Sequence, residues 1–196
     1  MIRFITFAFS LLFSLQSLAE ASQVFTAVSP ANRVALLELY TSEGCSSCPP
    51  ADRFMSRVKL ADISDQQLIP LSFHVTYYDH IGWKDRFGNP QHDVRQRKLA
   101  KMNNSSVVYT PQFIMNGKDF RRHGSFDNEI VRINSIAAEY KLELSAERNA
   151  DAIDVVLDTR RPIDNRDKAA VFIALYEHGL SSEVSDGENK GEQLHH

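Results

Sequence analysis

Read for the spacing of its apolar positions, the chain divides into α/β and β-rich parts. Residues 33–40 are rich in Val and Leu with little alternation, which predicts a central strand covered on both faces. Glu38 interrupts it. Residues 49–60 carry Phe54, Met55 and Val58 at helical spacing, with Asp52, Arg53 and Lys59 expected to face water, and predict a helix opening on two prolines. A second strand is predicted over 67–75, then an aromatic loop over 76–88. The next helix is predicted over 90–102, with Val94, Leu99 and Met102 as a thin apolar side. Residues 107–118 read as a strand interrupted by Thr110-Pro111 and ended by a hairpin turn at Asn116-Gly117, with 120–123 returning. A helix over 128–142 follows, with Ile130, Ile133, Ile136, Ala137 and Tyr140 at its spacing. Beyond it the pattern changes to strand-like runs at 142–146, 152–158 and 169–177, separated by polar turns at 147–151 and 159–168. Residues 23–32 read as a polar lead-in, and 179–196 as a polar, unpatterned tail.

The N-terminus has a different character. Arg3 supplies a short positive region, residues 5–18 are apolar, and Ala19-Glu20-Ala21 offers a small-residue cleavage site. That arrangement predicts a secretory signal peptide over 1–21 and an exported, periplasmic or secreted protein. The expected organisation is then an α/β domain over 22–141, a β-rich extension over 142–180 and the tail over 181–196.

At 196 residues and 43% hydrophobic, the chain can bury one core and a small appendage. A net charge of −3 without long charged runs gives no support to nucleic acid or an anionic membrane surface as partner. The expected state is a monomer without stable membrane insertion.

Chemistry concentrates at Cys45-Ser46-Ser47-Cys48, which holds both cysteines of the chain. A Cys-x-x-Cys where a strand runs into a helix reads as a thioredoxin-like redox motif. In that arrangement Cys45, at the helix N-terminus, would be the attacking thiolate, and Cys48 would resolve the mixed disulfide. A bridge over so short a loop constrains the unfolded chain little, which weighs against a purely structural role. Thr110-Pro111 is expected to be cis and to offer a partner strand a surface facing the cysteines. Glu38, if buried near the dithiol, could relay a proton; the competing reading is a partly solvated strand position or a carboxylate paired with a basic residue. His74 ends the second strand. It is a hydrogen-bonded core residue, a modest tuner of a nearby thiol or, with Cys45 and Cys48, a Cu(I) ligand. Tyr77, Tyr78, Trp83 and Phe87 form a partner-binding rim or cap the core.

Four stretches together, ELYTSEGCSSCPPADR, SFHVTYYDHIGWKDRFG, VYTPQFIMNG and ALYEHGLSSEVSDGENKG, resemble the secreted bacterial family called domain of unknown function 1223. The resemblance runs from about residue 34 to the end. It implies a thioredoxin-like core with a C-terminal antiparallel β addition, export to the periplasm, and thioredoxin-type roles for Cys45, Cys48 and Pro111. Members of that family continue beyond the position of Leu194-His195-His196 into another strand. The family has no settled activity, so the resemblance speaks to fold more than to function.

The resulting expectation is a thiol–disulfide exchange protein acting on protein or small-thiol partners without organic cofactor or metal. Cys45 attacks, Cys48 resolves, Pro111 positions the partner and Glu38 moves the proton. Thr110, His74, Tyr78 and Trp83 are expected to face the partner. A copper-binding module using Cys45, Cys48 and His74, and a binding module with a fixed disulfide, are the alternatives. The exchange reading requires sulfurs reachable from solvent and Pro111 on their side of the molecule.

Overall fold

The computed structural model describes residues 23–60, 63–121, 123–149, 151–160 and 170–196. The leader expected over 1–21 lies outside them, as do residues 161–168 of the expected turn.

The central sheet contains β2 (Ala35–Thr41), β3 (Leu68–His74), β4 (Gln112–Met115) and β5 (Lys118–Asp119), in the order β3-β2-β4-β5. β3 runs parallel to β2, whereas β4 is antiparallel to it, pairing Leu37 with Met115 and Tyr40 with Gln112. The helices are α1 (Pro49–Leu60), α2 (Pro90–Met102) and α3 (Phe126–Asn134). The outcome is a mixed α/β protein in which each of the first two helices links two strands.

Alternation along the strands sorts side chains between two cores. Leu37, Leu39, Phe113 and Met115 pack with Met55 and Val58 of α1 and with Ile130 and Ile133 of α3. Tyr40, Val75 and Ile114 form the opposite core with Leu99 of α2. β2 is therefore buried on both faces, as its apolar pattern with little alternation predicts.

α1 begins at Pro49, so both prolines fall in a first turn whose backbone N–H groups lack helical partners anyway. α2 differs from its predicted packing. Val94 and Met102 are exposed, and the buried positions are Asp93, Gln96 and Ala100. Polar partners make that burial tolerable. Asp93 accepts from the backbone N–H and hydroxyl of Thr76 at 2.9 and 2.8 Å, while Gln96 donates to Tyr109 O and Gln112 Oε1 at 2.9 and 2.8 Å.

The turn at Asn116-Gly117 has φ of 46° and 79°, left-handed at both positions, which is what a two-residue hairpin needs and why Asn-Gly supplies it. The return strand is accordingly Lys118–Asp119, immediately after the turn, and not 120–123. α3 stops at Asn134, short of the predicted end at 142. The backbone beyond it pairs with residues 31–33 instead: Arg33 N–H donates to Ile136 O at 2.8 Å, and Ala138 N–H to Ala31 O at 2.9 Å.

The expected lead-in contains β1 (Gln23–Val28), which joins β6 (Glu143–Arg148) and β7 (Ile153–Asp158) in an antiparallel sheet of order β1-β6-β7. The strand predicted over 169–177 is not formed across its described residues 170–177, which have no ladder partner. The tail, expected to be unpatterned, forms a hairpin of β8 (Ser181–Glu183) and β9 (Gln193–His195), with Ser182, Val184 and Leu194 buried. Among the described residues, no helix is long and apolar enough to cross a membrane.

Candidate functional site: a covered disulfide

β2 delivers the chain directly into the cysteine turn. Gly44 N–H donates to Ser42 Oγ at 3.1 Å, Cys45 N–H to Ser42 O at 3.1 Å, and Cys48 N–H to Cys45 O at 3.0 Å. The carbonyls of Tyr78 and Trp83 face Gly44, so the aromatic loop backs this turn. Cys45 and Cys48 are joined in a disulfide with Cα atoms 5.4 Å apart, and both are buried, at 1% and 0% exposure. The expected reach from solvent is therefore absent in this conformation.

The C-terminal hairpin contributes much of that cover. Asn189 Nδ2 donates to Glu43 O at 2.7 Å and to Cys45 O at 3.0 Å, and Glu188 accepts from Ser46 N–H at 3.2 Å. Gly187, at φ 75°, sits so close to Trp83 that a Cβ there would lie 2.9 Å from the Trp83 Cβ. Arg86 donates to Ser181 O at 2.5 Å and ties down the other end.

A buried polar cluster lies around the turn. His74 Nδ1 is 2.7 Å from Asp85 Oδ2, an oxygen that also accepts from Glu43 N–H at 2.9 Å. Trp83 Nε1 donates to Glu43 Oε2 at 2.8 Å, and His196 Nε2 reaches Glu43 Oε1 at 3.2 Å. The His74 and His196 rings meet edge to face, 4.5 Å between centroids. Burial opposes the charge on Glu43, but hydrogen bonds, led by that from His196, outweigh it and lower its pKa to about 2. Burial likewise opposes charge on His74, yet the bond and charge of Asp85 prevail and raise its pKa.

Asp52, in the first turn of α1, is buried at 5% exposure. It lies one helical turn after Cys48, so the two side chains share a face of the helix. Its Oδ1 accepts from Thr41 Oγ1 at 2.8 Å, whereas its buried Oδ2 has no hydrogen-bond partner. Burial pushes its pKa above the ordinary carboxylate value.

Glu38 is elsewhere. Its side chain shares the Tyr40 face of β2, opposite α1, and is bound by Arg95 and by the Tyr40 hydroxyl at 3.1 Å. Of its expected readings, the carboxylate paired with a basic residue is the one observed, and the partly solvated position is not, since Glu38 is buried. His74 and Trp83, expected at a partner-facing rim, instead direct polar atoms at Asp85 and Glu43 inside the protein. Tyr78 is half-buried, its ring 5.6 Å from that of Tyr77. The Thr110–Pro111 peptide is cis, and Thr110 is buried. Because Gln112 pairs with Tyr40, Pro111 lies at the end of the sheet where β2 enters the cysteine turn. Pro111 also lines a shallow groove with Val107, Tyr109, Phe113, Phe120 and Arg121.

Among the described residues, no three His, Cys, Asp or Glu side chains are grouped to hold a metal. Glu43, Asp85, Asn189 and His196 were not expected in the site, and Asp52, expected to face water, is buried against Thr41 instead. Asp52 was within reach, since its i+4 spacing from Cys48 is visible in the sequence. Asn189 and His196 carry no such signal.

The fold and site define a mixed α/β protein with a buried disulfide at a strand-to-helix turn, covered by its own C-terminal hairpin. The chain belongs to the DUF1223 family, proteins of unknown function, whose pattern matches residues 36–196. No curated protein matches the chain. A crystal structure of a protein from Agrobacterium tumefaciens, a structural-genomics target, is similar over part of the chain. It is 31% identical with a TM-score of 0.43, and the match covers 54% of this chain and 46% of that one.

Proposed function

We propose that this chain is a thioredoxin-like thiol–disulfide exchange protein whose resting state is oxidised and covered. The observation that carries the reading is the Cys45–Cys48 disulfide at the junction of β2 and α1, within a β-α-β-α-β-β-α unit of strand order β3-β2-β4-β5. Pro111 at the same sheet end supports it. In the reduced form the Cys45 thiolate attacks a partner disulfide, and one partner sulfur leaves as thiolate. Cys48 then attacks Cys45 Sγ and releases the second, so the protein is oxidised by two electrons and the partner reduced. The reverse sequence oxidises a partner dithiol. Asp52, not Glu38, is the group suited to hold the proton exchanged with Cys48. Access requires the hairpin to leave the cysteine turn. The apolar run at 5–18 and the Ala19-Glu20-Ala21 sequence support work outside the cytoplasm, where a disulfide persists.

The test is trapping. The Cys48→Ser protein should accumulate a mixed disulfide through Cys45 with a disulfide-bearing peptide, and Cys45→Ser should not. The complete burial of the sulfurs favours a second reading, a fixed disulfide in a binding module. A bond that resists excess dithiothreitol under native conditions, even when hairpin contacts are weakened, would establish that reading and end the first.

A further inference from the structure

β3 is an edge strand: among the described residues its one neighbour in the sheet is β2. In that parallel ladder Ala35 N–H donates to Gln67 O at 3.0 Å, and Val75 N–H to Thr41 O at 2.9 Å. Odd-numbered residues from 67 to 75 therefore turn their backbone groups toward β2, and even-numbered residues turn theirs away. Pro70 fits this division, since its missing N–H falls on the side that has no ladder bond to lose. At the two ends of the strand the outward side is occupied. Leu68 N–H donates to Ser64 O at 3.1 Å, and His74 O accepts from Asn89 N–H at 3.1 Å. Between them Pro70 O, Ser72 N–H and Ser72 O have no partner among the described residues, and Ser72 is exposed.

A cavity of about 610 Å³ lies on this open side. Residues 70–74 all line it, with Met55 of α1 beside them and Leu175 and Leu180 in the far wall. Met55 belongs to the core on one face of the sheet and Phe73 packs against the core on the other, so the cavity wraps the edge of the strand. Its far wall includes residues 174–177, the end of a run that is strand-like in sequence and has no ladder partner. Two strand-forming segments thus flank a space without being bonded to each other. A purely apolar ligand there would leave Pro70 O and the backbone groups of Ser72 shut off from water and unpaired. An extended peptide meets both demands. Its backbone repeats the donor and acceptor spacing of a strand, and its side chains reach the apolar walls.

We propose that the open edge of β3 is a docking site for an extended apolar peptide segment of a partner protein, which adds a strand beside Ser72. Residues 70–74 offer about 13 Å of edge, enough for four or five partner residues at ~3.3 Å each. Recognition through backbone pairing is separate from the sulfur chemistry and does not rest on the exchange reading.

The probe is the capped hexapeptide TVIVTK with a fluorophore on its lysine, titrated into the full chain and followed by anisotropy. Its comparator is the same peptide N-methylated at the isoleucine and the valine after it, which keeps the side chains and removes a donor from each edge. Saturable one-site binding of the first is expected, with the comparator weaker by about tenfold or more. The Ser72 amide should exchange freely with solvent in the unbound chain and at least about tenfold more slowly with the peptide bound. Ser72→Pro deletes an outward N–H and no bond to β2, and should weaken the peptide by about tenfold or more. If that variant fails to fold, Leu175→Asp places a charge on the far wall at a position 86% exposed and should weaken binding similarly. The proposal is overturned by absence of saturation, by equal affinity for the N-methylated peptide, or by undiminished binding in the folded variant. A Ser72 amide already protected in the unbound chain also overturns it, since the edge is then taken by the chain itself.

Discussion

Asn189 places one side-chain amide on the carbonyls of both Glu43 and Cys45, at 2.7 and 3.0 Å, joining the C-terminal hairpin to the cysteine turn. The covered state of the disulfide depends on that contact. Asn189→Ala leaves two buried carbonyls without this donor, at a cost of about 1–3 kcal/mol. Reduction by dithiothreitol, followed by maleimide labelling under native conditions, should accelerate about tenfold. Gly187→Ala should act in the same direction, because its new Cβ collides with Trp83.

Glu38 and Asp52 make opposite predictions. Glu38→Ala strands Arg95 and should lower stability by on the order of 3 kcal/mol in urea titrations. The pH profile of disulfide exchange by the folded fraction should stay unchanged. Asp52→Asn should shift that profile, because it removes a carboxyl one turn from Cys48. A shifted profile in Glu38→Ala would return the proton role to the strand.

Acid should loosen the hairpin before it melts the core. The Glu43 pKa is lowered from 4.5 to about 2 in the folded protein, so its contribution is complete above the unfolded value and is lost as pH falls through that window. His74 has the opposite sign: its contribution is complete below 6.5 and is lost as pH rises through its raised folded value. Protection of the disulfide from reductant should therefore fall between about pH 4.5 and 2. Glu43→Gln should flatten that dependence, measured as labelling rate against pH.

Apolar residues should also diverge. Leu39 is fully buried, and Leu39→Ala should cost about 2–5 kcal/mol in urea titrations. Leu175 is 86% exposed, so Leu175→Ala should change stability by less than about 0.5 kcal/mol.

The elements that were legible in the sequence are those whose signals are local. The Leu-rich run of β2, the Pro-opened α1, and the Asn-Gly hairpin follow from propensity, periodicity and left-handed φ, which neighbouring residues decide. The Cys-x-x-Cys also announced a disulfide by spacing alone. What depended on distant partners was not legible. α3 ends early because residues 31–33 take its would-be helical backbone, and α2 buries Asp93 and Gln96 because Thr76, Tyr109 and Gln112 wait for them. The two three-residue strands of the tail are too short to show a period, yet through Asn189 and His196 they cover the cysteine turn. Sequence by itself determined that a dithiol would stand where β2 meets α1. Only tertiary structure decided that Glu38 would face Arg95 and that the sulfurs would lie under the C-terminal hairpin, since both depend on contacts between residues far apart in the chain.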